Sequence, residues 1–314
     1  MSNGAIRLPD LVDAAKPEHV LEEVRETLTG ILTEIDLQRL EQVFLDVCRL
    51  FAGKYPGYAG CNTRYHDLEH TTDAFLAMAR ILHGAVERDR PFGRPTLLLG
   101  LISALLHDTG YIKREGDHTG TGAKYTANHV VRGIDFSREY LLPRGYSPED
   151  YEVCRSAILC TSLDIRIERI AFRSESDALV GKMLGTCDLV GQMASRVYLE
   201  KLPYLCRELM EGGVLHHGCE YRFLEDTVPF CRSALDRLAN ELGGESRYLR
   251  EHFRVRWGID RNLYLEAIEE NISCLESVLR SHPEDYRGRL KREIPGKPLL
   301  AAAAATGSRM RASR

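Results

Sequence analysis

Apolar residues recur every three or four positions along most of the 314-residue chain, which is the spacing of one face of an α-helix. No segment shows the alternation of apolar and polar positions that is typical of a half-buried strand. The pattern therefore predicts an all-α protein. The first two helices are marked by two apolar stripes: Val20, Val24, Leu28 and Ile31, then Leu37, Leu40, Val43, Phe44 and Val47.

A third helix is expected to carry two histidines. Asn62 or Thr63 can cap this helix, and the helix would place His66 and His70 four residues apart on one face. It is expected to end before the prolines at positions 91 and 95.

A fourth helix, Thr96 to His107, is apolar on every side and is expected at the centre of the core. Gly110 is expected to end it, which leaves His107 and Asp108 in its last turn. Further helices are predicted over 123–142, from Ser147 to about Cys160, from Ser174 or Ser176 through Asp188, and over 223–242 and 262–279.

The chain is interpreted as one multi-helix body with additions at both ends. The expected parts are N-terminal helices over 1–55, a core over 56–212, a C-terminal helical extension over 213–294 and a flexible tail over 295–314. The helices that follow Gly213 are a candidate homodimer surface.

Charge argues against large anionic partners. The chain has 42 basic and 46 acidic residues, which gives a formal net charge of -4, and no long basic tract is present. Neither a nucleic acid nor a membrane surface is therefore expected as a partner.

The nine cysteines indicate a reducing compartment. Their number is odd and no C-x-x-C pair occurs, which argues against a disulfide framework and against a zinc ribbon. Residues 1–15 lack the sustained apolar core that a secretion signal needs, and the most apolar run, Leu97 to Leu106, is too short to cross a bilayer. A cytoplasmic location is expected.

Candidate metal ligands occur at three places. The segment Tyr65-His66-Asp67-Leu68-Glu69-His70 supplies a histidine pair, the pair His107-Asp108 ends an apolar helix, and Asp188 lies on a helix that is otherwise patterned apolar. Each has a simpler interpretation: a surface or hydrogen-bonded histidine pair, an aspartate that caps a turn, or an aspartate paired with an arginine. Together they suit Mn, Fe, Zn, Mg or Co, because a mixed set of nitrogen and oxygen ligands accepts any of these ions.

These segments resemble the HD superfamily of metal-dependent phosphohydrolases, in particular the branch similar to cyclic-nucleotide phosphodiesterases. Residues 65–70 resemble that branch's Y-H-N-x-x-H segment, residues 105–111 resemble its H-D segment, and Asp188 matches its late aspartate. The resemblance covers about residues 63–209 and implies a single HD-like helical bundle that holds one or two divalent ions.

The resemblance also implies roles for individual residues. The metal ligands that it implies are His70, His107, Asp108 and Asp188, and Asp108 would be able to bridge two ions. Asp108 and His66 would be the catalytic residues. His66 would be the general acid, since a histidine beside a metal-held phosphate can protonate the leaving oxygen. His118 and His129 are candidates for a second metal site or for supporting the ligands, and a buried structural role for His129 is the alternative.

Four further residues are candidates for substrate binding: Lys113, Lys124, Thr161 and Gln192. For the two lysines, the alternative is that they are solvated loop residues. Gln192 follows Asp188 by one helical turn on the same face.

The expected function is hydrolysis of a small-molecule phosphoester by metal-activated water, with a nucleotide or a related phosphodiester or monoester as substrate. A di-iron oxygenase is an alternative, because some members of the superfamily use the same ligands with extra histidines. A non-catalytic signalling module is a second alternative, although such modules usually lack the ligands that are present here.

Overall fold

The computed structural model describes residues 6–90, 92–216, 218–281 and 285–290. Over these ranges the chain is built from helices and turns, and its extended pairing is limited to two isolated bridges, Thr29 with Leu32 and Tyr58 with Arg114. The all-α prediction is confirmed. The α-helices are α1 (Pro17–Leu28), α2 (Glu34–Phe51), α3 (Leu68–Val86), α4 (Arg94–Leu106), α5 (His129–Leu141), α6 (Pro148–Leu159), α7 (Glu175–Ala194), α8 (Tyr198–Glu211), α9 (Glu220–Ala239), α10 (Arg247–Trp257), α11 (Leu263–Ser281) and α12 (Tyr286–Arg289).

Helix α3 is the centre of the molecule and packs against α1, α4, α7 and α10. Helix α7 packs against α3, α4, α6 and α11, so the two helices form a buried pair that the others surround. The expectation for the fourth helix is confirmed, because every residue from Leu97 to Leu106 is buried. Burial on all sides explains why its sequence shows no polar face.

Helix α3 begins later than predicted. Its cap is Asp67, whose side chain accepts the backbone N–H of His70 at 3.2 Å, and neither Asn62 nor Thr63 caps it. The hydroxyl of Thr63 donates to the carbonyl of His66 instead. His66 therefore precedes the helix, and the predicted i,i+4 pairing on one helical face is wrong.

The end of α4 also differs from the prediction. The helix ends at Leu106, and Thr109–Tyr111 form a short 3-10 turn after Asp108. Gly110 has a packing role, because a Cβ at this position would collide with the backbone carbonyl of His129. Helix α5 begins at His129, since residues 122–125 form a separate 3-10 turn where a continuous helix from 123 was predicted.

The other helix starts largely follow the sequence. Ser147 caps α6 and accepts the backbone N–H of Asp150, and Ser174 caps α7 in the same way. The chain restarts as α8 after Ala194. Helix α10 was not predicted, because its sequence is rich in charged residues that obscure the apolar spacing.

Both ends of the described chain pack on the central pair. Helices α1 and α10 contact α3, and α11 contacts α7. The boundaries predicted at 55 and 212 stay predictions, as does the homodimer surface, and the predicted tail over 295–314 lies outside the described residues. Within the described ranges, no helix combines the length and apolarity needed to cross a bilayer.

Candidate metal centre

Three buried side chains from α3 and the end of α4 converge on one point. Ligand atoms of His70, His107 and Asp108 all lie within 4.8 Å of one another, and the three side chains are at most 4 % exposed. His70 Nε2 lies 3.2 Å from Asp108 Oδ2, and His107 Nε2 lies 3.5 Å from the same oxygen. This cluster could hold a metal ion, since nitrogen and carboxylate ligands at this spacing suit a divalent cation.

Asp188 reaches the same point from α7. Its Oδ1 lies 3.2 Å from His70 Nε2 and 3.7 Å from His107 Nε2. The approach of α7 to α3 depends on Gly191, where an added Cβ would lie 3.1 Å from the backbone nitrogen of Ala74. The small residue on α7 thus brings the carboxylate close to the histidine on α3.

The hydrogen bonds around the cluster leave ligand atoms unused. His107 Nδ1 lies 2.8 Å from the carbonyl of Ala104, which accepts its proton, so in the neutral ring Nε2 carries the lone pair. His107 Nε2 and Asp108 Oδ2 are buried and have no hydrogen-bond partner within the described residues. A buried lone pair and a buried carboxylate oxygen without donors are costly, and a cation would satisfy both.

Electrostatics of the cluster show a demand for positive charge. Burial lowers the pKa of His70, but the carboxylates of Asp108 and Asp188 raise it more, to about 10. Burial alone would raise the pKa of Asp108, yet the imidazoles of His107 and His70 hold it well below its usual value. Without a metal, protons on the imidazoles compensate the carboxylates, and a divalent cation would supply the same compensation.

His66 lies beside the cluster, in a pocket built by Glu208. The carboxylate of Glu208 is 2.8 Å from His66 Nδ1 and also accepts the backbone N–H groups of Arg64 and Tyr65 at 2.6 and 2.7 Å. Burial raises the pKa of Glu208, but the hydrogen bonds with His66 and with these backbone N–H groups lower it by more, so the net shift is downward. The carboxylate is therefore ionised. The ring centroids of His66 and His70 are 5.6 Å apart.

Glu208 was not among the predicted site residues. It lies on α8 seven residues after Lys201 and four after Tyr204, so all three share one helical face, and all three are buried. The sequence signal that could have identified Glu208 is a carboxylate on a helical face whose other residues are buried. Its partner, however, is 142 residues away along the chain.

Tyr111 packs against two histidine rings beside the cluster. It stacks on His66 with ring centroids 4.2 Å apart and on His129 with centroids 4.6 Å apart. His129 Nδ1 lies 2.6 Å from the carbonyl of Thr126, and its Nε2 lies 4.0 Å from Asp108 Oδ1. Burial lowers the pKa of His129, which favours the neutral ring that a metal requires.

Three other predicted residues lie in the loop over 113–122 or just after it. Lys113 is buried and donates to the carbonyls of Thr119 and Gly120, at 3.3 and 2.8 Å. Lys124 pairs with Asp117 at 2.5 Å and also donates to Thr119. Both lysines therefore hold the loop together. The side chain of His118 is exposed, and no contact joins it to the cluster in the described part of the chain.

The last two predicted residues lie in different surroundings. Gln192 contacts the cluster: its Nε2 donates to the backbone oxygen of Asp188 at 3.1 Å and to the carboxylate Oδ1 of Asp188 at 3.4 Å, and its Oε1 accepts the hydroxyl of Tyr65 at 2.7 Å. Thr161, just after α6, donates its hydroxyl to the carbonyl of Ile158 at 2.8 Å. Gln192 thus orients a candidate ligand, whereas the hydroxyl of Thr161 is engaged by its own backbone.

Comparison with known proteins adds no relative. No protein-family model matches the chain, and no curated protein matches it significantly.

Proposed function

We propose that this protein is a metal-dependent phosphohydrolase of the HD type that cleaves a small phosphoester, with a nucleotide as the expected substrate. The observation that carries the proposal is the convergence of His70, His107, Asp108 and Asp188 beside a histidine that is held by a buried carboxylate. Ligands alone would suit many metal functions. The adjacent His66–Glu208 pair adds the proton donor that ester cleavage needs.

The four candidate ligands would hold one ion, and His129, whose Nε2 lies 4.0 Å from Asp108 Oδ1, would contribute to a second. The chemistry that a divalent ion supplies in such a site is activation of water and neutralisation of phosphate charge. Residues of the chain supply the rest. Gln192 donates to the carboxylate of Asp188 and so holds it in orientation, and the carbonyl of Ala104 fixes the His107 ring so that Nε2 faces the cluster.

His66 is proposed to give a proton to the leaving oxygen. Because ionised Glu208 accepts the proton of Nδ1, Nε2 is the ring atom left to act on a substrate. Tyr111 stacks on the ring and limits its rotation, with its hydroxyl 3.5 Å from Nε2. A fixed ring lowers the entropic cost of proton transfer.

The test is a phosphoester panel that includes cyclic nucleotides, nucleoside monophosphates and an aryl phosphodiester. Each ester is assayed with Mn, Mg, Zn, Fe and Co on the wild type and on Asp108→Ala. We expect turnover with at least one ion and complete loss of turnover and of bound metal in Asp108→Ala. Absence of hydrolysis across the panel with metal bound would reject the proposal.

A di-iron oxygenase is the second candidate, and the position of His129 is the observation that favours it. His129 Nε2 near Asp108 Oδ1 provides an additional nitrogen ligand of the kind a second iron requires. The two functions are separated by metal analysis with oxygen-uptake measurements. Two bound irons, oxygen consumption and no phosphoester turnover would favour the oxygenase.

A further inference from the structure

A buried lysine on α8 lies beside the candidate metal centre. The side chain of Lys201 is 6 % exposed, and its Nζ lies 2.9 Å from Oδ1 of Asp67 and 3.6 Å from Oε2 of Glu69. Burial lowers the pKa of Lys201, but the carboxylates of Asp67 and Glu69 raise it by more, so the ammonium group is charged. Lys201 is therefore a buried cation that is paired with carboxylates at the start of α3.

The oxygen that binds Lys201 is also the oxygen that caps α3. Oδ1 of Asp67 accepts a hydrogen bond from Nζ of Lys201 at 2.9 Å and from the backbone N–H of His70 at 3.2 Å. His70 is the third residue of α3, and its Nε2 lies 3.2 Å from a carboxylate oxygen of Asp108 and from one of Asp188. One carboxylate oxygen thus joins Lys201 to a candidate metal ligand.

Lys201 lies two helical turns before Glu208 on the same face of α8. Glu208 accepts the backbone N–H groups of Arg64 and Tyr65, whereas Lys201 binds Asp67. The two charged residues of α8 are about 10 Å apart along the helix axis, so they hold both ends of this short segment. The start of α3 therefore takes its position from α8 as well as from its own sequence.

Loss of the ammonium group would leave the carboxylate of Asp67 without adequate compensation. This side chain is only 15 % exposed, and other acidic groups surround it. Burial and the charge of Glu69 raise the pKa of Asp73 to about 8, whereas Lys201 lowers it. A largely buried carboxylate that loses its cation must turn towards water or take up a proton. Either change weakens the hydrogen bond that Asp67 makes with the N–H of His70.

We propose that Lys201 is a positioning residue for the metal centre, because it holds Asp67 at the start of α3 and so fixes the place of His70 as a ligand. The inference rests on the metal site of the proposed function and not on the reaction that the metal supports. Loss of a group one contact away from a metal ligand weakens metal binding by about ten- to a hundredfold. Loss of Lys201 should therefore weaken metal binding although every ligand is still present.

The test is calorimetric titration of the metal-free protein with Mn, Mg, Zn and Co, and the comparison uses the ion that the wild type binds most tightly. Lys201→Met should raise the dissociation constant by about ten- to a hundredfold. Lys201→Arg keeps a charged donor and should restore most of the affinity. Lys182→Met is the control, because Lys182 is a partly exposed lysine on α7, and its dissociation constant should equal that of the wild type.

A double variant separates the charge pair from packing. Asp67→Asn keeps a side chain that can cap a helix and removes the charge that Lys201 compensates. Asp67→Asn combined with Lys201→Met leaves no buried charge unpaired, so this protein should bind the metal more tightly than Lys201→Met alone. Such non-additivity is expected of two residues that act through one contact. Lys201→Gln, which lacks the charge, takes the place of Lys201→Met if that variant does not fold.

Three results would overturn the inference. The first is a wild-type dissociation constant in the Lys201 variant, even with a lower melting temperature, because Lys201 would then only stabilise the fold. The second is an additive loss of affinity in the double variant. The third is a wild type that binds no metal, which would also reject the proposed function. Metal binding without phosphoester turnover would reject the hydrolase alone, and the same dissociation constants would still be expected.

Discussion

At the scale of single residues, the geometry of the candidate site depends on the groups that hydrogen-bond to the ligands as much as on the ligands themselves. His107 is oriented by the carbonyl of Ala104, the carboxylate of Asp188 by Gln192 and His66 by Glu208. Such contacts decide which ring nitrogen faces the cluster. Removal of a partner should therefore act differently from removal of a ligand.

His66→Ala should keep its metal and lose turnover of esters with poor leaving groups by about 10²- to 10⁴-fold, the usual contribution of a general acid. Esters with good leaving groups need no proton and should react at nearly the wild-type rate. Glu208→Gln should show the same dependence to a smaller degree. The measurement is kcat against leaving-group pKa for each variant.

The exposed His118 provides the matched control, because His118→Ala removes an imidazole that has no contact with the cluster in the described chain. Its rates should equal those of the wild type. An equal loss on good and poor leaving groups in His66→Ala would remove this histidine from proton transfer.

At the scale of elements, close approaches between helices bring the site together. Gly110 lies against the carbonyl of His129, and Gly133 on α5 lies 2.7 Å, measured from an added Cβ, from the carbonyl of His107. The start of α5 can therefore reach the cluster only because both positions lack a side chain. Their effect is on packing, since neither has a left-handed backbone.

Gly110→Ala should destabilise the protein by about 1–3 kcal/mol, the usual cost of overpacking, because the new methyl group must displace the start of α5. Gly60→Ala is the control, since a Cβ there would meet its nearest atom at 3.4 Å. Urea unfolding of both variants is the measurement. Equal stability of Gly110→Ala and the wild type would mean that α5 can move without cost.

The contact between α3 and α10 contains a pair of buried histidines. His83 and His252 have ring centroids 4.9 Å apart, and His252 is fully buried with no hydrogen-bond partner for either nitrogen in the described chain. Burial lowers the pKa of both, and Arg80 and Arg256 lower that of His252 further. Both rings are therefore neutral in the folded protein at neutral pH.

Stability should fall as the pH drops below about 6.5, the value for an unfolded histidine, because the unfolded chain then binds protons that the folded chain excludes. The slope is at most about 1.4 kcal/mol per pH unit for each histidine. His252→Leu should make the dependence shallower between pH 6.5 and 5, as measured by urea unfolding at each pH. Replacement of the exposed His19 by leucine should leave the slope unchanged, and an unchanged slope in His252→Leu would contradict the assignment.

At the scale of the whole molecule, the metal cluster connects the helices that form the core. Its residues come from α3, from the end of α4 and from α7, and these three helices pack against one another. A bound ion would therefore join elements that are distant in sequence. Removal of the metal should therefore lower the free energy of unfolding of the whole molecule.

The melting temperature should rise with free metal and fall when a chelator is added. The free energy of unfolding should change by about 1.4 kcal/mol for each tenfold change in the metal concentration above its dissociation constant. Asp108→Asn should abolish this dependence. Asp260→Asn, which removes an exposed carboxylate paired with Arg250, should keep it. The measurement is thermal unfolding at a series of metal concentrations. A wild-type melting temperature that does not change with metal concentration would contradict a metal site.

The sequence alone determined the helical class, most helix positions and the residue types at the cluster. Those features are local: apolar spacing and capping residues act within a few turns, and a His-Asp pair at the end of an apolar helix is visible without tertiary contacts. These local signals gave the wrong helix start where two possible capping residues lie close together in the sequence. Asp67 caps α3 although Thr63 was equally suitable by type.

Only the tertiary structure decided which side chains meet. Glu208 reaches His66 across 142 residues, Lys113 and Lys124 turn inward to hold their own loop, and Lys201 pairs with Asp67 across 134 residues. Sequence position carries little information about such partners, because they depend on how whole helices pack. The physical reason is that burial makes each polar group require a partner, while the fold determines which partner is within reach.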